Sequence, residues 1–265
     1  MTPYFETKLG KLYHGDCLDI MPEIEPVDLV LTDPPYGTTS CKWDSIIPLE
    51  LMWEQLKRII KKNGAIVLFG KEPFSSTLRI GNIKNYKYDL YWDKKIPSGI
   101  CHAKTMPMSQ IEIISIFIDG KSFYNPQMIK RSKPIKSGGN KESASGATMG
   151  FKGEYNKTYD FKFPITILRF DKIRRGALHP TQKPVALMEY LIKTYTNENE
   201  IVLDFTIGSG TTAIACERLN RKWIGIEIEE KYCEMAVKRI EENLTVMERI
   251  ERSEKGITKK TGLLF

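Results

Sequence analysis

Histidine is scarce in this chain: His14, His102 and His179 are the three among 265 residues, and none stands with cysteines or acids at metal-ligand spacing. No metal is expected on that pattern. The five cysteines (Cys17, Cys41, Cys101, Cys216, Cys233) form no CxxC pair and are odd in number. Free thiols in a reducing cytosol are the plain reading. Long apolar runs are missing too. Nothing approaches the roughly 18 residues of a membrane span, and the opening MTPYFETKLGKLY lacks a signal-peptide core. A cytoplasmic chain without a membrane partner is therefore expected.

What is present is enough apolar residue (41%) for a sizeable core, and an uneven charge. Residues 121–183 hold 14 Lys and Arg against 4 Asp and Glu, a local +10; subtracted from the overall +7, this leaves −3 for the rest. A mildly acidic body with one basic segment suggests a surface that faces a polyanion, although solvated basic loops are common.

Periodicity predicts alternating strands and helices. KLYHGD (11–16) and VDLVLTD (27–33) read as strands, the second buried on both faces. PLELMWEQLKRIIKKNG (48–64) reads as a helix stopped by Asn63-Gly64. AIVLFG (65–70), YKYDLYWDK (86–94) and IEIISIFID (111–119) read as further strands, the last two toward the sheet's far edge. From about residue 121 the pattern dissolves, and 131–153 offers no periodicity. Regularity returns with a helix at 184–196, a strand at 200–206, a helix at 211–220, a strand at 222–228 and a long amphipathic helix. An α/β fold follows: a mainly parallel sheet with helices on both faces.

LDFTIGSGTTAIACERLNRKWIGIEIEE (203–230) is a strand, a glycine-rich turn, a helix and a second strand ending in acid. Gly208 and Gly210 permit the turn and a close ligand approach, and the helix N-terminus aims its amides at the ligand. Glu227 is placed to take two ribose hydroxyls. This G-x-G-x-x-A pattern alone would also fit a dinucleotide fold, or a turn that needs glycine for backbone reasons. Asp204 helps to choose. A carboxylate at the entrance to the loop would repel a pyrophosphate and suits a ligand with an ammonium or sulfonium group, such as S-adenosylmethionine.

Asp33-Pro34-Pro35-Tyr36 falls at the carboxyl end of a parallel strand, where open α/β sheets bind ligands. The prolines lock the backbone and remove two N–H donors, holding the Pro34 carbonyl out rigidly. Asp33 adds a second acceptor. Two acceptors aimed at one point suit an exocyclic amino group of a base, whose lone pair is freed for attack as its hydrogens are accepted. Tyr36 offers a π-face for an extruded base. A strand-ending turn with an Asp cap is the alternative.

DPPY at 33–36, HPTQKP at 179–184 and LDFTIGSGTT at 203–212, in that order, resemble the amino-methylating DNA methyltransferases that use S-adenosylmethionine, in the permuted arrangement called class beta. The resemblance runs from about residue 10 to 243. It implies a Rossmann-like sheet of about seven strands in circularly permuted order. Residues 1–120 would form the catalytic half, 121–177 an inserted basic target-recognition region, and 178–265 the cofactor half with its C-terminal helix.

Carried over by residue, Asp33, Pro34, Pro35 and Tyr36 would hold the target base. Gly208, Gly210 and Thr211 would line the methionine end of the cofactor, with Asp204 near its amino group and Glu227 on the ribose. Asp16, beside Cys17, would bond the adenine amine, or simply cap a helix. His179, Pro180, Thr181 and Lys183 would contact the methionine moiety. The family's usual Asp-Pro-Phe is Asp204-Phe205-Thr206 here, so the aromatic over the cofactor adenine is displaced by one position. Lys130, Arg131, Lys133, Lys136, Arg174 and Arg175 would reach phosphates of double-stranded DNA. The aromatics of 153–170 are expected to pack back on the core, and the loop 94–109 to close over the flipped base or to be an ordinary surface loop.

In the related enzymes aspartate at the position of Asp33 goes mostly with adenine N6, and serine more often with cytosine N4. Adenine is the expected acceptor. Cytosine N4, an RNA or protein amide, and a catalytically silent DNA-binding module are the rivals. The resemblance leaves room for a homodimer and for a partner endonuclease, and no stretch of the chain decides either.

Overall fold

Alternation builds the central strands. In β4 (Ile60–Gly70), Ala65, Val67 and Phe69 enter one apolar cluster while Ile66 and Leu68 enter another, all of them buried. In β3 (Val27–Thr32), Leu29 and Leu31 join the first cluster and Val30 the second. Strands apolar on both faces need cover on both faces. On one side α1 (Cys17–Ile20), α2 (Leu49–Ile59) and α3 (Phe74–Gly81) supply Cys17, Met52, Leu56, Phe74 and Leu78. On the other, α4 (Val185–Tyr195), α5 (Thr211–Arg218) and α6 (Glu230–Thr261) supply Leu187, Leu191, Ile214, Cys233 and Ala236. This computed structural model describes residues 1–37, 45–136, 158–173 and 182–261, with His102 and 248–261 as backbone only.

The remaining strands of the sheet are β1 (Phe5–Glu6), β2 (Gly10–His14), β5 (Tyr86–Ser98), β6 (Ser109–Ile118), β9 (Ile167–Arg169), β10 (Ile201–Asp204) and β11 (Lys222–Glu227). Among the described residues the order is β1-β2-β11-β10-β3-β4-β6-β5-β9. β2, β11, β10, β3 and β4 run parallel, and β6 lies antiparallel between β4 and β5. The expected seven strands are there, with short β1 and β9 added at the two edges. The permuted order shows in the pairing: β10, far later in the chain, sits beside β3 with Val202 opposite Leu29 and Leu203 opposite Val30.

The helix expected over 48–64 ends at Ile59. Ile60 is already extended (φ −75°, ψ 127°) and opens β4. Asn63-Gly64 is a bulge within that strand: Ile60 stands opposite Val27 but Ala65 opposite Leu29, and Asn63 takes φ 72°. A Cβ on Gly64 would lie 2.8 Å from the Asp28 carbonyl oxygen, so the bulge needs glycine. The apolar pair Ile59-Ile60 satisfies either period, which is why the boundary was not legible.

Residues Pro126–Ile165 form a separate compact unit, apart from Met1–Asn125 with Thr166–Phe265. In it β7 (Ile129–Lys136) pairs antiparallel with β8 (Thr158–Lys162). The start of the stretch read as lacking periodicity is therefore a strand. In β7 every residue but Arg131 is exposed, so no buried face imposes alternation. The aromatics of 153–170 divide. Tyr159, Phe161 and Phe163 are exposed in this unit, whereas Phe170 in the main unit packs against the core, its ring 5.8 Å from that of Tyr190; Tyr155 lies outside the described residues. The first third of the loop expected over 94–109 continues β5, and Met106 beyond it is exposed.

Candidate active site

Parallel strands end on one edge of a sheet, and four of them end here in candidate site residues. β2 leads to Gly15 and Asp16, β3 to Asp33, β10 to Asp204 and the glycine loop, and β11 to Glu227. A cavity of about 250 Å³ opens at this edge. Asp33, Pro34, Pro35 and Tyr36 line it, as do Asp16, Cys17, Lys183, Asp204, Phe205, Thr206, Gly208, Thr211 and Glu227. His179, Pro180, Thr181, Arg174 and Arg175 lie outside the described residues.

Each acid is held differently. Asp16 is the N-cap of α1, its Oδ1 accepting from the Leu18 amide at 2.8 Å, so it caps a helix and faces the cavity at once. Glu227 accepts from the Gly208 amide at 2.8 Å and the Glu229 amide at 2.9 Å. It therefore fastens the glycine loop to the end of β11. Burial raises its carboxyl above the usual range, opposed by those backbone donors. A carboxylate has further lone pairs, so these bonds leave acceptor capacity toward the cavity.

Asp204 is almost wholly buried. Thr32 and Thr212 hydroxyls donate to its two oxygens, the Thr212 bond being 2.5 Å long, and the Thr206 amide lies 3.3 Å from Oδ1. Burial pushes its carboxyl up to about 6, with the threonine bonds pulling the other way and the Asp33 charge adding to the rise. Both of its oxygens are engaged within the protein.

Gly210 caps α5 in the left-handed region at φ 77°. A Cβ there would come within 3.0 Å of Ala236 Cβ and 3.2 Å of its Cα, on α6. Arg239, also on α6, donates to the Ser209 carbonyl and hydroxyl and lies 3.3 Å from Thr211 Oγ1. Helix α6 therefore clamps the loop. Phe205, displaced by one position from the family pattern, is 1% exposed and packs in the same apolar cluster as Cys17, Ile20 and Ile226 while lining the cavity. Thr206 Oγ1 donates to the Asp33 carbonyl at 3.1 Å, tying the β10 loop to the start of the Asp-Pro-Pro-Tyr turn.

Around Asp33 the structure adds a contact that the motif alone did not show. Lys183, expected on the methionine moiety, reaches Asp33 Oδ2 at 2.6 Å. The Tyr36 hydroxyl donates to Asp33 Oδ1, and the Tyr36 ring leans on Phe74 at 5.2 Å between centroids. Burial raises the Asp33 carboxyl above the usual range; the Lys183 charge opposes that and the nearby Glu112 adds to it. Glu112, Arg239, Thr32 and Thr212 were not singled out in the sequence. An acid opening the apolar run QIEIISIFI was the available signal for Glu112. For the threonines there was none, since buried hydroxyls and ordinary strand threonines look alike.

The Asp-Pro-Pro-Tyr turn and the glycine loop with its strand-end acids thus meet at one crest of the sheet and line one cavity. The chain belongs to the DNA methylase family of N6 and N4 amino-methyltransferases, whose model matches residues 27–238. It is 26% identical over 275 residues to the Type II methyltransferase M2.LlaDCHI of Lactococcus lactis subsp. cremoris, covering 92% of this chain and 93% of that protein. With M.BglII of Bacillus subtilis it shares 30% identity, covering 86% of this chain and 68% of the relative. Among solved structures, the M1.HpyAVI–SAM complex superposes with a TM-score of 0.60 at 27% identity, covering 87% of this chain and all of that one. The cytosine-N4-specific PvuII DNA methyltransferase shares the fold (TM-score 0.64, 19% identity, 94% of each chain).

Proposed function

We propose that the chain methylates the N6 amino group of an adenine flipped out of double-stranded DNA, with S-adenosylmethionine as the methyl donor. The observation that carries this reading is that Asp33-Pro34-Pro35-Tyr36 and the glycine loop line one cavity. The donor fits its lining: four carboxylates (Asp16, Asp33, Asp204, Glu227) converge on it against one buried lysine, which favours a cationic ligand. Bound there, S-adenosylmethionine supplies an electrophilic sulfonium methyl. Glu227 and Asp16 would take the adenosine end, and Gly208 and Thr211 the methionine end.

Asp33 and the Pro34 carbonyl accept the two hydrogens of the target amine, localising its lone pair for in-line attack. The amine nitrogen forms the new N–C bond as the C–S electron pair stays on sulfur. One amino proton then leaves by way of Asp33 to solvent. Phe74 supports the ring of Tyr36, the face on which the extruded base stacks.

Residues 121–177 serve as the target-recognition region in this reading, and the compact unit Pro126–Ile165 lies inside that span. Its strand β7 exposes Lys130, Lys133 and Lys136, while Arg131 donates to the Phe161 carbonyl at 3.2 Å. Replacing these four by alanine should lower the slope of log affinity against log salt by about 3–4, since each phosphate contact contributes about 0.9. An unchanged slope would take the segment out of the DNA interface. The base itself is decided by mass spectrometry of digested DNA after reaction. N6-methyladenine is expected, N4-methylcytosine would overturn the base, and neither, with DNA still bound, would favour a silent binding module.

A further inference from the structure

A line of charged side chains runs behind Asp33. Lys183 Nζ stands between two carboxylates, 2.6 Å from Asp33 Oδ2 and 2.7 Å from Glu112 Oε1. On the far side Glu112 Oε2 lies 3.9 Å from Lys94, itself buried on β5. The ammonium of Lys183 also sits 4.9 Å from the centre of the Phe69 ring on β4. Four separate elements thus contribute to this charged line behind Asp33: β4, β5, β6 and the segment leading into α4. A lysine this well enclosed cannot swing to a ligand without stranding two acids.

We propose that Lys183 and Glu112 are positioning residues for methyl transfer, Lys183 aiming the Asp33 carboxylate at the target amine and Glu112 holding Lys183 in place. The inference rests on the function proposed above. Oδ2 of Asp33 is fixed by Lys183 and Oδ1 receives the Tyr36 hydroxyl, so the carboxylate plane is set before any base arrives. Preorganised acceptors need no reorientation at the moment of reaction. The pair also tunes the acid in opposite senses: Lys183 favours the ionised form of Asp33, and Glu112 opposes it. The other ionisable groups near this line are Tyr36, Asp204 and, around Lys94, Lys71 and Lys172.

The test is the pH dependence of single-turnover methyl transfer from tritiated S-adenosylmethionine to duplex DNA, for the full chain and for Lys183→Met, Lys183→Arg and Glu112→Gln. Cofactor affinity measured by calorimetry checks that each variant folds. Losing the cation should move the acidic limb up by about 1–3 pH units, and losing the like charge should move it down. Lys183→Arg should keep the parent's limb even where its rate is lower. The Asp33 carboxyl, followed by carbon NMR in aspartate-labelled protein and assigned with Asp33→Asn, should move in the same two directions. Limbs that stay put, or move together, would reduce the pair to a structural contact. A parent that binds cofactor but methylates no DNA would instead overturn the proposed function, while the NMR titrations would still report whether the charged line exists.

Discussion

Asp33 and Asp204 end neighbouring parallel strands, yet the protein treats them as different chemicals. Asp204 is sealed among neutral partners, with Thr32, Thr212 and the Thr206 amide on its oxygens. Asp33 keeps part of its side chain open to the cavity and is held by an ammonium and a phenol. Hydroxyl partners fix a shape, whereas a charged partner also fixes a protonation state. The first acid shapes the entrance to the glycine loop; in the proposed reaction the second accepts a hydrogen of the target amine.

The largest effect that could break this contrast is on catalysis. Asp33→Ala should lower single-turnover methyl transfer by at least about 10²–10³-fold while calorimetric cofactor affinity stays near the parent's. Comparable loss of cofactor affinity would show that both acids serve the same ligand.

Stability sharpens the contrast from the other side. The folded-state value of Asp204 is raised to about 6, so the folded protein holds this proton longer than the unfolded chain does. Its favourable contribution is complete below about pH 4 and lost as pH rises through about 6. Chemical denaturation should therefore show the parent losing on the order of 2–3 kcal/mol relative to Asp204→Asn across that window. A difference independent of pH would mean that burial does not shift the Asp204 carboxyl from its unfolded value.

Glu227 tests whether an acid can serve fold and ligand together. Glu227→Ala should weaken S-adenosylmethionine binding by about 1–3 kcal/mol as the ribose loses an acceptor. Equal affinities would leave Glu227 only its bonds to Gly208 and Glu229. The smallest effect is expected at Gly210→Ala, about 1–2 kcal/mol in unfolding free energy, from a left-handed backbone and a Cβ pressed on Ala236. No loss at all would mean that α6 gives way easily and does not clamp the loop.

Much of the site was legible because its residues sit at strand ends next to prolines and glycines, where backbone chemistry leaves a local mark. Asp33 to Tyr36, Gly208, Gly210 and Glu227 were each readable in this way, and the cavity gathers all but Gly210 in its lining. Lys183 was legible as a candidate site residue but its ion pairs were not, because nothing local to HPTQKP says that Asp33 and Glu112 will flank it. The hairpin strand β7 escaped because a ribbon exposed on both faces carries no period.

By itself the sequence determined which segments become doubly covered strands, where the chain turns, and which turns bear acids, since these follow from local sterics and hydrophobic period. Only the tertiary structure decided what those acids touch. β3 and β10 pair in parallel from distant parts of the chain, which sets Thr32 against Asp204 and Thr206 against the Asp33 carbonyl. β6, running antiparallel beside β4, brings Glu112 to Lys183. Hydrogen bonds and ion pairs form over about 3 Å, and closeness of that kind between distant residues is set by packing of the whole sheet.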